Sequence, residues 1–197
     1  MNNHCEKMGF KVEKSKDLYV VLFISRNKDN LLIPNFKERK KNFITSKNPE
    51  ELITEFNHFV EDGLKGETSR LYYSVNSRNP ERIKKNLMKF LIESDDSDLT
   101  NIESKIASIA AKIECADTKH WLFDFDINDE KCVNEFVIDI NEIDLSLTPI
   151  VHKTPNGYAV VVEHGFDTRQ LLEKWNTLVT PKRDSLLCYT WEKKDEI

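Results

Sequence analysis

The chain contains no apolar run approaching the roughly 18 residues of a membrane-spanning helix. Its opening, Met1-Asn2-Asn3-His4-Cys5-Glu6-Lys7, lacks the charged-then-apolar layout of a secretory leader. A cytoplasmic protein with no membrane partner is therefore expected. Cys5, Cys115, Cys132 and Cys188 are scattered without a Cys-x-x-Cys pair, and no histidine cluster completes a zinc set, so reduced thiols are expected. Internal repeats and low-complexity linkers are also missing. With 197 residues, 39% apolar and 32% charged, the chain can bury one sizeable core and is too mixed in pattern for disorder. Residues 1–197 read as a single domain.

What is present includes one unusual strand. In Trp121-Leu122-Phe123-Asp124-Phe125-Asp126 an apolar strand pattern carries two acids two residues apart. Residues i and i+2 of an extended chain share a face, so Asp124 and Asp126 would set their carboxylates side by side. Two like charges on an apolar strand repel, and a hard divalent cation with its phosphate would relieve that repulsion. Mg²⁺ or Mn²⁺ at Asp124 and Asp126 is the expected cofactor. The bland alternative is a strand whose polar face meets water.

Charge is distributed unevenly. Residues 1 to 90 carry 18 Lys and Arg against 12 Asp and Glu, whereas residues 91 to 197 carry 11 against 22. The steepest stretch runs from Arg70 to Lys89, where Arg70, Arg78, Arg82, Lys84, Lys85 and Lys89 face only Glu81. A cationic flank beside an acidic strand suits a phosphate-handling site, and for the lysines a solvated helix face is the competing explanation. Arg70 and Arg78 flank one expected strand, and arginine can grip phosphate through two parallel hydrogen bonds. They and Lys153 are the phosphate candidates. Tyr72 and Tyr73 would point to opposite faces of that strand, one toward the core and the other free to stack on a base.

The remaining pattern orders the elements. Asp17 to Ser25 reads as a buried strand, Arg26 to Asn30 as a turn, and Leu31 to Pro34 as a short partner strand. A helix capped by Asn48 or Ser46, with Pro49 in its first turn, places Leu52, Ile53, Phe56, Phe59 and Val60 at helical spacing before Gly63. Leu71 to Asn76 has strand character, and Asn79-Pro80 opens a helix through Ile83, Leu87, Phe90 and Leu91. Asp95-Asp96-Ser97-Asp98 is an acidic break, after which Asn101 to Cys115 forms a further helix. Beyond the acidic strand, Asn128 or Asp129 caps a short helix ending near Asn134, and Phe136 to Ile140 fits either strand or helix. Ile150–Thr154 and Gly157–Val162 flank an Asn-Gly pair that marks a hairpin, because both residues tolerate positive φ. A helix through Leu171, Leu172 and Trp175 follows Asp167, and Ser185 to Trp191 closes the chain as a strand. Such alternation predicts an α+β domain whose mixed or antiparallel sheet is packed by helices.

Read in order, Asp124-x-Asp126, a helix, and a hairpin carrying Lys153-Thr154-Pro155-Asn156-Gly157-Tyr158 resemble the catalytic core of the archaeo-eukaryotic primase superfamily, the primase-polymerases. The resemblance covers roughly residues 70 to 191 and rests on short motifs. It implies an RRM-like core over 67–191 preceded by a strand and helix extension over 1–66, with carboxylates holding divalent metal. Asp184 is the implied third catalytic acid beside Asp124 and Asp126, with Asp139 and Glu163 as competitors. The family places a histidine where this chain has Ala159, a side chain that can neither donate a hydrogen bond nor carry charge. The resemblance therefore implies a degenerate or inactivated relative. His152 and His164 lie an odd number of residues from Ala159 and would face away from it on an uninterrupted strand.

Two functions follow as expectations. One is a metal-dependent nucleotidyltransferase acting on nucleotides or single-stranded nucleic acid, impaired by Ala159. The other is a non-enzymatic module of viral type that binds nucleotide, nucleic acid or a protein partner on the same scaffold.

Overall fold

The computed structural model describes residues 17–93 and 99–195. The acidic break at Asp95–Asp98 and the opening seven residues lie outside that range. Among the described residues, eight strands and five α-helices form an α+β fold with two four-stranded sheets, both antiparallel throughout, where one sheet was expected.

The first sheet has the order β2-β1-β3-β8, built from β1 (Tyr19–Ser25), β2 (Arg39–Thr45), β3 (Thr68–Ser74) and β8 (Leu186–Lys193). β1 is apolar on both sides because both are covered. Val21 and Phe23 pack with Leu71 and Tyr73 against α1 (Ile53–Glu61), and Val20 packs on Ile83 of α2 (Pro80–Glu93) and Ile109 of α3 (Ile102–Ala110). The expected capping by Asn48 holds. Its backbone N–H donates to Glu51 Oε2 at 2.7 Å and Pro49 occupies the first turn, which is 3-10 in form. Leu31–Pro34 is turn rather than strand, and the true partner of β1 is β2. The residues before 67 thus supply β1 and β2, which hydrogen-bond into the same sheet as β3 and β8.

The second sheet has the order β5-β6-β4-β7 and follows the chain order β4 (Trp121–Phe125), α4 (Glu130–Ile143), β5 (Ile150–Thr154), β6 (Gly157–Val162), α5 (Arg169–Trp175), β7 (Val179–Lys182). α4 does not end near Asn134. Asp129 caps it by accepting from the Lys131 and Cys132 amides, and it continues to Ile143, so Phe136–Ile140 is helical. Val133, Phe136 and Ile140 then lie on one buried stripe against Phe123, Phe125 and Val160, joined by Leu171 and Trp175 of α5. Both helices cover one face of this sheet. Its other face turns toward the first sheet, where Leu122 and Ala159 meet Leu187 of β8.

The hairpin between β5 and β6 is present with a two-residue turn, Pro155-Asn156, closed by the pair Thr154 and Gly157. Among the described residues only Asn35 and Gly66 have positive φ, so the Asn-Gly pair does not serve the left-handed conformation. Pro155 presets the turn instead. Gly157 is required for a different reason: a Cβ there would sit 2.1 Å from the Phe125 carbonyl oxygen.

Candidate functional site between the two sheets

Alternation along β4 sends Phe123 and Phe125 into the helix-covered core and leaves Leu122 and Asp124 facing the first sheet. Asp126 lies one step past the strand end. Both acids line a cleft of about 480 Å³ between the sheets, Asp124 half-buried and Asp126 exposed.

The opposite wall is cationic. Arg26, Lys28, Arg70 and Tyr72 line the cleft from the first sheet. Arg26 grips Asp29 through two bonds of 2.8 and 3.1 Å, and Arg70 Nη2 reaches the same carboxylate at 2.6 Å. Burial would raise the Asp29 carboxyl, but hydrogen bonding and charge from the two arginines outweigh it and hold its pKa below the ordinary value. Two guanidinium groups share one carboxylate, which leaves net positive charge on this wall. Arg70 is only 6% exposed and its Nε has no hydrogen-bond partner among the described residues. Burial raises the Tyr72 phenol, and it pushes the neighbouring Cys188 thiol up to about 11, so both stay neutral at physiological pH.

A cation not anticipated from the sequence completes the acidic side. Lys182 on β7 donates to Asp124 Oδ2 at 2.6 Å. With roughly a third of each side chain exposed, the pair contributes no more than about 1 kcal/mol and is easily exchanged. Lys182 stands opposite Leu122 and Thr180 opposite Asp124, so the β7 residues of even number face the cleft. The period-two pattern of Val179 to Lys182 was the available signal, shortened to four residues and interrupted by Pro181.

Other expected site residues lie elsewhere. Arg78 does not line the cleft: it is buried and pairs in bidentate fashion with Asp184 at 2.7 and 2.9 Å, while Asn76 donates to the same carboxylate at 3.0 Å. Phosphate would have to displace a buried carboxylate to reach Arg78, and Asp184 is equally committed. Asp184 belongs to the β7–β8 connection, so the pair ties the two sheets together. Lys153 points to the opposite face from Asp124, because its neighbours His152 and Thr154 take the cleft side of β5. Its ammonium lies 4.1 Å from the Tyr158 ring centroid and donates to Asn128. Asp139 is bound to Trp175 and Lys174, and Glu163 is exposed past the end of β6. Tyr73 is the core member of the tyrosine pair, stacked on Tyr19 at 4.8 Å.

His152 is directly opposite Ala159 and therefore on the same face. Across a two-residue turn, opposed residues are always an odd number apart, so counting along one strand gave the wrong side. Burial lowers the His152 pKa, which keeps the ring neutral. Ala159 itself is buried against Leu122 and Leu187 as an apolar contact between sheets.

Among the described residues no three His, Cys, Asp or Glu side chains converge on one point. The donor set is thus two carboxylates, which fits a hard cation that keeps water and a ligand phosphate as its remaining partners better than it fits a cage made wholly of protein. No helix among the described residues is long and apolar enough to cross a membrane. No family model, no curated protein and no solved structure matches the chain.

Proposed function

We propose that the inter-sheet cleft binds a phosphorylated ligand, in the manner of a nucleotidyltransferase of primase-polymerase type. The observation that carries this reading is the opposition of Asp124 and Asp126 to the Arg26–Asp29–Arg70 cluster across one cleft. Asp124 and Asp126 are the residues that would hold Mg²⁺ or Mn²⁺, which would supply neutralisation of phosphate charge. Arg26 and Arg70 would take the phosphate oxygens, and Tyr72 would border the base or sugar. The β-α-β-β-α-β order from β4 to β7, with sheet order β5-β6-β4-β7, supports an RRM-like core because it is the order of a split βαβ unit.

A second reading, binding without transfer, is favoured by one feature. Ala159 offers the cleft neither a proton nor a hydrogen bond where the resemblance places histidine. Template-directed nucleotide incorporation by the unaltered chain separates the two. Binding of a nucleoside triphosphate without incorporation selects the second.

The metal-assisted reading itself is tested by Mn²⁺ titration with and without a nucleoside triphosphate. Asp124→Asn should weaken Mn²⁺ binding at least about tenfold, equivalent to about 1.4 kcal/mol, with the triphosphate tightening the unaltered protein alone. Identical isotherms for the two proteins would overturn it. Lys182→Met should have the opposite sign. Removing an ammonium that competes for Asp124 should tighten Mn²⁺ binding in the absence of triphosphate by up to about fivefold, the equivalent of the roughly 1 kcal/mol that the exposed pair can contribute. Unchanged affinity would mean that the Lys182–Asp124 pair plays no part in the site.

A further inference from the structure

The β7–β8 connection separates two cavities. Lys182 and Ser185 line the cleft, whereas Arg183 and Asp184 between them line a second cavity of about 390 Å³ that shares no lining residue with it. Arg82 of α2 and Lys119 bring further positive charge to this cavity, and Ile113, Ala116 and Trp121 give it apolar surface.

The arginines of the chain divide into two groups. Arg26, Arg39, Arg70, Arg78 and Arg169 each pair with a carboxylate. Arg82 and Arg183 pair with none among the described residues, and both line this one cavity. Exposure alone does not account for the difference, since Arg169, 89% exposed at its side chain, still finds Asp167. Each of the two is held by something other than an acid. Arg82 Nη1 donates to the Ala116 carbonyl at 2.8 Å and more weakly to that of Glu114 at 3.5 Å, which leaves Nε and Nη2 uncommitted. The Arg183 guanidinium lies 5.3 Å from the Trp121 ring centroid, a contact that restrains it without cancelling its charge. Trp121 is itself pinned, because the backbone at Gly165 runs so close that a Cβ there would sit 2.3 Å from indole Cζ2.

Charge then sets the kind of ligand. Asp184 is already neutralised by Arg78, so Arg82, Lys119 and Arg183 stand against the exposed Glu114 alone. Such a surplus suits an anion of one or two charges, and the further charges of a polyanion would meet Glu114 and Asp184. We infer that this cavity is a second ligand site, taking a small aromatic carboxylic acid whose carboxylate Arg82 and Arg183 share and whose ring lies against Ile113, Ala116 and Trp121. A planar guanidinium matches a carboxylate through two parallel hydrogen bonds. The volume is that of a small-molecule site, within the range of roughly 300–1,000 Å³. The inference is independent of the reading of the cleft, and its failure leaves that reading as it stands.

The test titrates the full chain with phthalate, benzoate, benzamide and inorganic phosphate by calorimetry. The indole N–H resonance of Trp121, assigned through Trp121→Phe, is the local readout. Phthalate and benzoate should bind and shift that resonance. Benzamide has the ring without the charge and phosphate the charge without the ring, so each should bind at least about tenfold more weakly. Arg82→Gln and Arg183→Gln should each weaken benzoate about tenfold, the loss of one charge-assisted partner. Arg169→Gln, which removes the same charge elsewhere, should leave benzoate binding unchanged. Arg82 also ties α2 to the Ala116 carbonyl, so thermal midpoints accompany the titrations. Arg183 makes no hydrogen bond to another described residue, and its variant decides the matter even if Arg82→Gln loses stability. Benzoate affinity unchanged in Arg183→Gln overturns the site, as does equal binding of benzoate and benzamide. An equal loss in Arg169→Gln reduces the binding to general charge attraction and overturns it too. Inorganic phosphate or a nucleoside triphosphate shifting Trp121 at lower concentration than phthalate overturns the aromatic-acid assignment.

Discussion

Arg78→Met should destabilise the fold by about 3–5 kcal/mol, because it leaves the Asp184 carboxylate buried with its opposite charge removed. Arg78 and Asp184 are 1% and 6% exposed at their side chains, so solvent screens little of the loss. Asn76 would remain as a donor to Asp184, which keeps the effect short of that for a wholly orphaned acid. Urea unfolding followed by circular dichroism reads the change directly. The paired replacement Arg78→Met/Asp184→Leu should recover most of the stability, since it removes both charges together. Had Arg78 served phosphate instead, its loss would lower ligand affinity and change stability little.

This pair also shows where a sequence stops being informative. Arg78 and Asp184 are 106 residues apart, and nothing in either segment announces that each neutralises the other. Both carry the residue types of a phosphate site, and only their meeting at the β7–β8 connection assigns them to holding the sheets together. Asp124 and Asp126 were legible because their relation is local: alternation over three residues gives one face whatever the rest of the chain does. Lys153 was a candidate for its charge alone, and the same rule excludes it once the hairpin is in place: Thr154 beside it lies on the cleft side, and neighbours on a strand cannot face one way.

Among the elements, those with an apolar run on both faces, a capping signal or a turn between two apolar runs were readable. β1, the Asn48 cap and the β5–β6 hairpin are of that kind. β2 and β7 were missed for a common reason. Both are edge strands, and unlike the edges β5 and β8 they lack an apolar or β-branched run: β2 opens on Arg39-Lys40-Lys41, and β7 is four residues long with Pro181 inside it. With those two edges unseen, the division into two sheets could not be seen either, and neither could the cleft that their facing surfaces create. Arg26 and Lys28 went unnoticed with it, because a turn at the end of β1 reads as solvated until a second sheet stands across from it.

Gly157→Ala should be nearly as damaging as the loss of Arg78, and it should strike the candidate site as well as the fold. An added Cβ would lie 2.1 Å from the Phe125 carbonyl oxygen, and 2.6 and 2.9 Å from the Ile127 oxygen and nitrogen. These are backbone atoms on both sides of Asp126, so no side chain can swing away to relieve the clash. The β6 start or the end of β4 must move, at a cost of about 2–4 kcal/mol, toward the upper range for overpacking. Moving the end of β4 re-aims Asp126 while Asp124, paired to Ala159 and Thr180 within the sheet, stays in place. Mn²⁺ binding should then fall further than the residual folded fraction accounts for. Asn156→Ala is the informative comparison. If the hairpin depended on left-handed backbone, that change would be the more harmful of the two. Because Pro155 presets the turn and Asn156 has no positive φ, it should cost less than about 1 kcal/mol and leave Mn²⁺ binding intact. Equal effects of the two replacements would mean that the turn, rather than the close approach of Gly157 to β4, holds the second carboxylate in register with the first.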